Sequence, residues 1–540
     1  MMRRSASYLC ALYARCGTVL LLLVLVLLTA CQRPEPQVTI SATLAPLVPP
    51  PTPPITPLPA AALGGENVQI PPTPEIQPTP SLAPQPATPQ PQLPPYEGTP
   101  TPDPTQGYVG GELLLSHTVA PGETLVSIAQ RYGTEPEELI QMNGLEDGDF
   151  LFAGQVLQVP GGATILSPSF KIIPDSELVY GPAAADFDVA ATVASYGGYL
   201  ASYQEAVEGQ MLSGAQIVQL LADRFSVNPR LLLAALEFRA GWLTRPAPPQ
   251  VDYPMGKTDV RYEGLYAQLR WAADQINMGY YGHAEGGLTT FEVGGTRVAF
   301  APDLNSGSTG IQYWLAAHDG ASYETWLQEI GPSGFFATFS RLFGNPFAYT
   351  VDPLWPVDLQ QPPFRLPWAV GETWYFTGGP HGGWASGSAW AALDFVPDHD
   401  QLGCYQTDAW VRAMAPGLVS RSGFGAVVVD LDGDGFAGTG WAVTYMHLES
   451  RDRAPEGTQV DVGDPLGHPS CEGGFSNGTH VHISRTFNGR WISADGALPF
   501  AMSGWVSQGL GREYDGLLVR DGVTKEACEC RDEVNAITAD

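Results

Sequence analysis

Gly478-Thr479-His480-Val481-His482-Ile483 is the stretch on which the reading of this chain turns. Its β-branched flanks predict a strand, and side chains at i and i+2 of a strand share a face, so His480 and His482 are expected to point the same way. Upstream, Ala442-Val443-Thr444-Tyr445-Met446-His447-Leu448 reads as a second strand, with Val443, Tyr445 and His447 expected on one face. Further upstream, Gly379-Pro380-His381-Gly382 is followed by Ala392-Leu393-Asp394-Phe395, an interval of 394 − 381 = 13 residues. A lone His-x-His reads as core or surface histidines of a β domain. Three patterns within about a hundred residues read as a metal site.

Imidazoles with a single carboxylate favour zinc over magnesium or calcium, which prefer all-oxygen shells. A catalytic zinc takes three protein ligands and leaves its fourth position to water. Two histidines then remain for proton transfer and oxyanion stabilisation.

These motifs resemble the lysostaphin/LytM-type zinc metallopeptidases, and the long His381–Asp394 interval resembles their β-lytic and staphylolytic subgroup. The resemblance covers roughly residues 365–505. It implies a small antiparallel β-sheet domain with the metal in a groove, His381, Asp394 and His482 as zinc ligands, and His447 and His480 as catalytic histidines. Which of the two is the base stays open. It also favours a Cys404–Cys471 bridge, because the subgroup has a cysteine just before its His-x-His strand. Cys528 and Cys530 lie too close in sequence to assign.

The chain has 540 residues, 26 basic against 56 acidic, for a net charge of −30. That length implies several domains, and the acidic balance argues against nucleic acid as a partner. Residues 1–31 read as a targeting segment: Arg3, Arg4 and Arg15 precede an apolar run at 19–28 that is too short to span a bilayer. Leu28-Thr29-Ala30-Cys31 resembles the lipobox of bacterial lipoproteins, which implies lipid on Cys31 and an extracytoplasmic, membrane-anchored protein; an uncleaved anchor is the alternative. Residues 32–112 hold 24 of the 50 prolines and are expected to form a linker with no core, reaching at most ~250 Å as polyproline II.

Residues 113–162 read as a compact unit. Leu125, Ile128, Ala129 and Tyr132 follow i, i+3, i+4, i+7 on one helix face, and Thr134 with Glu137 forms a capping box for a second helix. Between strands near 116 and at 154–160 this gives a small α/β unit that resembles the LysM module, implying a βααβ fold that binds N-acetylglucosamine-containing glycan. His117 is expected to be structural.

Residues 163–355 are expected to be mainly helical. Ser213 and Gln216 make a capping box, and Asn228-Pro229 starts another helix. The segment Ser226-Val227-Asn228-Pro229-Arg230-Leu231-Leu232-Leu233-Ala234-Ala235 resembles lysozyme-like lytic transglycosylases. The position of that family's catalytic glutamate, two residues before Gly241, is here Arg239. Glu237 is displaced by two residues, about 200° around a helix, so a degenerate domain is expected, with glycan cleavage as the alternative. Residues 356–510 are assigned to the metallopeptidase domain and 511–540 to a C-terminal tail.

Asp430-Leu431-Asp432-Gly433-Asp434-Gly435 matches the opening of a calcium loop, but position twelve is Trp441 where such loops place a bidentate Glu. Calcium at Asp430, Asp432 and Asp434 and an acidic hairpin turn both stay open. Taken together, the patterns predict an exported hydrolase of peptidoglycan, holding glycan through LysM and cutting peptide through the zinc domain. A non-catalytic wall binder, or an activator of another hydrolase, is the alternative.

Overall fold

The computed structural model describes residues 114–119, 123–132, 136–145, 151–152, 154–160, 165–285, 287–399 and 401–540. The targeting segment, the proline-rich linker and the Thr134 cap lie outside them.

The first unit has the expected βααβ order. Strands Leu114–Thr118 and Val156–Pro160 pair antiparallel, with helices Leu125–Tyr132 and Pro136–Asn143 between them. Leu125, Ile128, Ala129 and Leu139 pack with Leu157 and Val159, so the helical and strand periodicities meet in one core. His117 is buried against Glu123, at 2.7 Å.

Residues 165–355 are mainly helical, with short strands at the margins. Ser213 and Gln216 form the capping box of helix Gly214–Phe225. Asn228 caps helix Pro229–Ala240, which ends at Gly241 in the left-handed conformation (φ 71°). The buried face of helix Leu265–Ala284 runs between these helices and Ser306–Ala317.

The C-terminal region is built on a nine-stranded antiparallel sheet. Its order is Gln459–Val460, Gly417–Gly423, Ala426–Asp430, Trp441–Met446, Val481–Phe487, Ala392–Pro397, Thr373–His381 and Ala536–Thr538, with Arg490–Trp491 pairing to the Val481 strand. Every residue of Ala392–Pro397, Ala426–Asp430 and Trp441–Met446 is buried, so both faces of the sheet are covered. One face carries Leu393, Phe395, Val443, Tyr445, Val481 and Ile483 into the domain core.

Two expectations are corrected here. Residues 511–540 are not a tail: Gly516–Arg520 and Val523–Glu526 join a four-stranded sheet, and Ala536–Thr538 pairs with Thr373–Tyr375 as the edge of the main sheet. The apolar run Leu517-Leu518-Val519 and the β-branched pair Ile537-Thr538 suit strands once partners exist, but for Ala536–Thr538 that partner is remote in sequence. Also, His447 does not share a face with Val443 and Tyr445. The strand stops at Met446, and His447 adopts φ 61°, a left-handed conformation that turns its side chain to the opposite side.

The helical and β regions are not separated by a solvent gap. Trp384, Ala389, Ala391, Ala426, Met446 and Trp491 belong to the same buried cluster as the helices. Trp491 donates its backbone N–H to the Tyr281 hydroxyl (3.0 Å), and Gly387 N–H donates to Asp274 Oδ1 (2.8 Å).

Candidate metal and catalytic centre

The sheet register brings the site residues together. His482 lies directly across from Asp394 in the antiparallel pair, and Met446 lies across from His482 on its other side. Bulges in the Thr373–His381 strand on either side of Gly378 bring His381 round to the same face. Gly378 is required there, because a Cβ would stand 2.7 Å from Asp394 Oδ2.

Three acceptor atoms converge. His381 Nε2 and His482 Nδ1 are 2.9 Å apart, and Asp394 Oδ1 is 3.2 Å from each. Each imidazole already commits an N–H elsewhere: His381 Nδ1 donates to Gly379 O (2.8 Å) and His482 Nε2 to Gly383 O (3.0 Å). In the neutral rings the facing nitrogens are therefore lone pairs. Asp394 Oδ1 is buried with no hydrogen-bond partner. Burial alone would raise the Asp394 carboxyl, but a charged His381 beside it holds it well below its usual range, and Asp394 in turn raises His381, so without a metal the cluster draws in a proton. Three converging acceptors with no proton between them need a cation. Tetrahedral zinc with bonds of about 2.0–2.1 Å places its ligand atoms about 3.3 Å apart, so this donor set fits it.

His480 and His447 face the same space. His480 Nε2 is 3.8 Å from Asp394 Oδ2, and the His447 and His480 rings are 4.5 Å apart. Backbone carbonyls orient both: His480 Nδ1 donates to Gly478 O (2.7 Å) and His447 Nδ1 to Glu472 O (2.9 Å). Burial, with His480 and His482 alongside, pushes His447 down to about 3, so it is neutral at physiological pH. The Glu472 carbonyl is fixed in turn by the Cys404–Cys471 disulfide next to it, a pairing that agrees with the expected one. Cys528 and Cys530 are bonded to each other.

Sequence reasoning missed Tyr514 and Glu513. The Tyr514 ring stacks on His381 with centroids 4.2 Å apart, and burial pushes its hydroxyl up to about 12, which keeps it a proton donor. Glu513 Oε1 accepts from Gly382 N–H at 3.3 Å. The signal available was an acidic–aromatic pair opening a strand, which is too common to stand out.

Glu237 is not part of this centre. It is 8% exposed and accepts from Leu243 N–H, Thr244 N–H and Thr244 Oγ1–H at 2.6–3.1 Å, with Arg341 at 3.3 Å. Its bonds to Leu243 and Thr244 close the turn after its helix, and Arg341 reaches it from helix Phe335–Phe343. Arg239 forms a two-point pair with Glu329.

Residues 171–356 match the family model described as LasA, N-terminal domain, and residues 117–160 match the LysM domain. The chain is 28% identical over 360 residues to Protease LasA of Pseudomonas aeruginosa strain PAO1, covering 63% of this chain and 78% of that protein. The same protease from strain UCBPP-PA14 is 28% identical over 350 residues, covering 61% and 77%. This chain is a LytM/lysostaphin-type zinc metallopeptidase with a LysM module. Among solved structures, the M23 metalloprotease pseudoalterin from the deep sea is 28% identical, with 31% of this chain and 96% of that chain covered and a TM-score of 0.26. The catalytic domain of lysostaphin from Staphylococcus simulans is 20% identical, covering 23% and 89%, with a TM-score of 0.17.

The candidate metal centre is braced partly through the helical region. Gly383 O, which orients His482, precedes Trp384, whose side chain is buried among the helices under the Arg224 guanidinium at 5.2 Å. Trp384→Ala is therefore expected to cost about 3–5 kcal/mol of stability. It should also weaken zinc about 10–100-fold by freeing that carbonyl. Denaturant unfolding and zinc competition with a chromophoric chelator measure the two effects.

Proposed function

We infer that this peptidase hydrolyses peptide bonds of peptidoglycan, with His381, Asp394 and His482 as zinc ligands and His480 and His447 as the proton-handling pair. The observation that carries the reading is the convergence of His381 Nε2, His482 Nδ1 and Asp394 Oδ1 beside two further imidazoles, His447 and His480, whose Nδ1 atoms are held by backbone carbonyls. Zinc would supply Lewis acidity toward the attacking water and the scissile carbonyl. His480 accepts the proton of the attacking water, its Nδ1 being held by Gly478 O and its Nε2 lying 3.8 Å from Asp394 Oδ2 at the edge of the cluster. His447 and the Tyr514 hydroxyl flank the carbonyl as its oxygen becomes negative.

The LysM match supports glycan of the N-acetylglucosamine type as the anchoring ligand. Lipid on Cys31 and an 81-residue linker at 32–112 would let a membrane-held enzyme reach the wall. The helical domain serves as support for the peptidase and not as a lysozyme-like cleaver, a reading favoured by the closed hydrogen bonding of Glu237.

Mass spectrometry of peptidoglycan treated with the full chain, with and without a zinc chelator, tests this. New amino termini in the stem peptide or cross-bridge, lost on chelation and restored by zinc, are expected. Intact peptides in both samples would turn the reading to a wall binder or an activator of another hydrolase. New reducing ends or anhydro-sugars would return glycan cleavage to the helical domain.

A further inference from the structure

The hairpin that joins strands Ala426–Asp430 and Trp441–Met446 gathers carboxylates without neutralising them. One ligand oxygen from each of Asp430, Asp432 and Asp434 lies within 4.8 Å of the others. Asp432 and Asp434 are exposed, but Asp430 is 0% exposed. Its Oδ2 accepts from Gly435 N–H at 2.9 Å, while its Oδ1 is buried with no hydrogen-bond donor. Among the described residues no Lys, Arg or His forms an ion pair with any of the three. Burial, with Asp432 and Asp434 beside it, pushes the Asp430 carboxyl up to about 6.

Such an arrangement is costly as it stands. A buried acceptor is left unmet, and like charges are drawn together by a loop that has no cation of its own. The backbone nevertheless holds them there. Gly433 and Gly435 take φ 77° and 94°, and Gly440 leaves room for Asp432 Oδ2, which a Cβ would meet at 2.5 Å. Asp434 N–H donates to Asp432 Oδ1 (3.3 Å), Phe436 N–H to Asp434 Oδ1 (2.8 Å) and Thr439 Oγ1 to Asp434 Oδ2 (2.7 Å). These bonds orient the two exposed carboxylates but do nothing for Asp430 Oδ1.

We propose that Asp430, Asp432 and Asp434 form a calcium site, separate from the zinc centre, with the unmet Asp430 oxygen as its buried ligand. Hard oxygen donors carrying three negative charges, with no nitrogen or sulfur among them, select calcium over zinc. Solvent at the exposed carboxylates completes the shell. Because Trp441 stands where a calcium loop has its bidentate Glu, the affinity falls in the weak range, a Kd of about 10⁻⁴–10⁻³ M. The ion would also set a seam in the fold. Phe436, two residues beyond Asp434, packs edge-on against Tyr180 of the helical region with centroids 5.0 Å apart. Calcium therefore stabilises the hairpin and its docking together.

The test is calcium titration of the zinc-saturated full chain by calorimetry, paired with thermal melts in CaCl2 and in MgCl2. One calcium per chain and a rise in Tm are expected at about 10 mM CaCl2, ten or more times the Kd expected. Asp432→Asn and Asp434→Asn should each remove that rise while leaving zinc content and peptide cleavage unchanged. Asp430→Asn separates the site from a mere turn. By relieving the crowded charge it should raise Tm in the absence of calcium and abolish the further rise. No heat and no Tm shift in the wild type would overturn the proposal. So would a shift that survives in both exposed-site variants, an equal shift from magnesium, or an Asp430→Asn protein less stable than the wild type without calcium.

Discussion

His482→Ala abolishes both bound zinc and peptide cleavage. His482 contributes one of only three converging acceptors, and its Nδ1 is fixed on the cluster by the bond from Nε2 to Gly383 O. Removing it leaves one imidazole and one carboxylate, too few to hold zinc against water. The loss should also relieve the apoprotein, because His381 Nε2 and Asp394 Oδ1 no longer face a third lone pair. Elemental analysis should therefore find no stoichiometric zinc in a variant that still melts cooperatively. A fully active His482→Ala protein would mean that the centre has been placed wrongly.

His480→Ala has an effect of similar size on activity and the opposite effect on metal. His480 reaches Asp394 Oδ2 at 3.8 Å and is not one of the three converging atoms. Its loss removes a proton acceptor, which is worth about 10²–10⁴-fold in rate. Zinc should stay near one per chain. The expected signature is a fall in kcat with little change in KM, because the residue acts as charge develops and not when the ground state binds. Loss of zinc together with activity would instead make His480 a ligand.

The sequence carried these residues well because strand geometry does most of the work. Alternation puts His480 and His482 on one face, and antiparallel pairing sets Asp394 opposite His482. The LysM core was legible for the same reason, with each helix and strand showing its own period. His447 shows where periodicity stops. Its conformation at φ 61° depends on how the chain leaves the strand toward the Cys404–Cys471 bridge, and no local pattern records that. Tyr514 and Glu513 were hidden because they reach the site through bonds with Gly379, Pro380 and Gly382, more than 130 residues upstream. The fusion of the two cores was equally hidden. Trp384 sits in a glycine- and serine-rich loop that reads as surface, yet it is 7% exposed because helices far upstream cover it.

X-ray absorption at the zinc edge of the wild-type chain tests the central claim most directly. Two imidazole nitrogens and one or two oxygens at about 2.0–2.2 Å are predicted, from His381, His482, Asp394 and water. A third imidazole, or sulfur at about 2.3 Å, would contradict it.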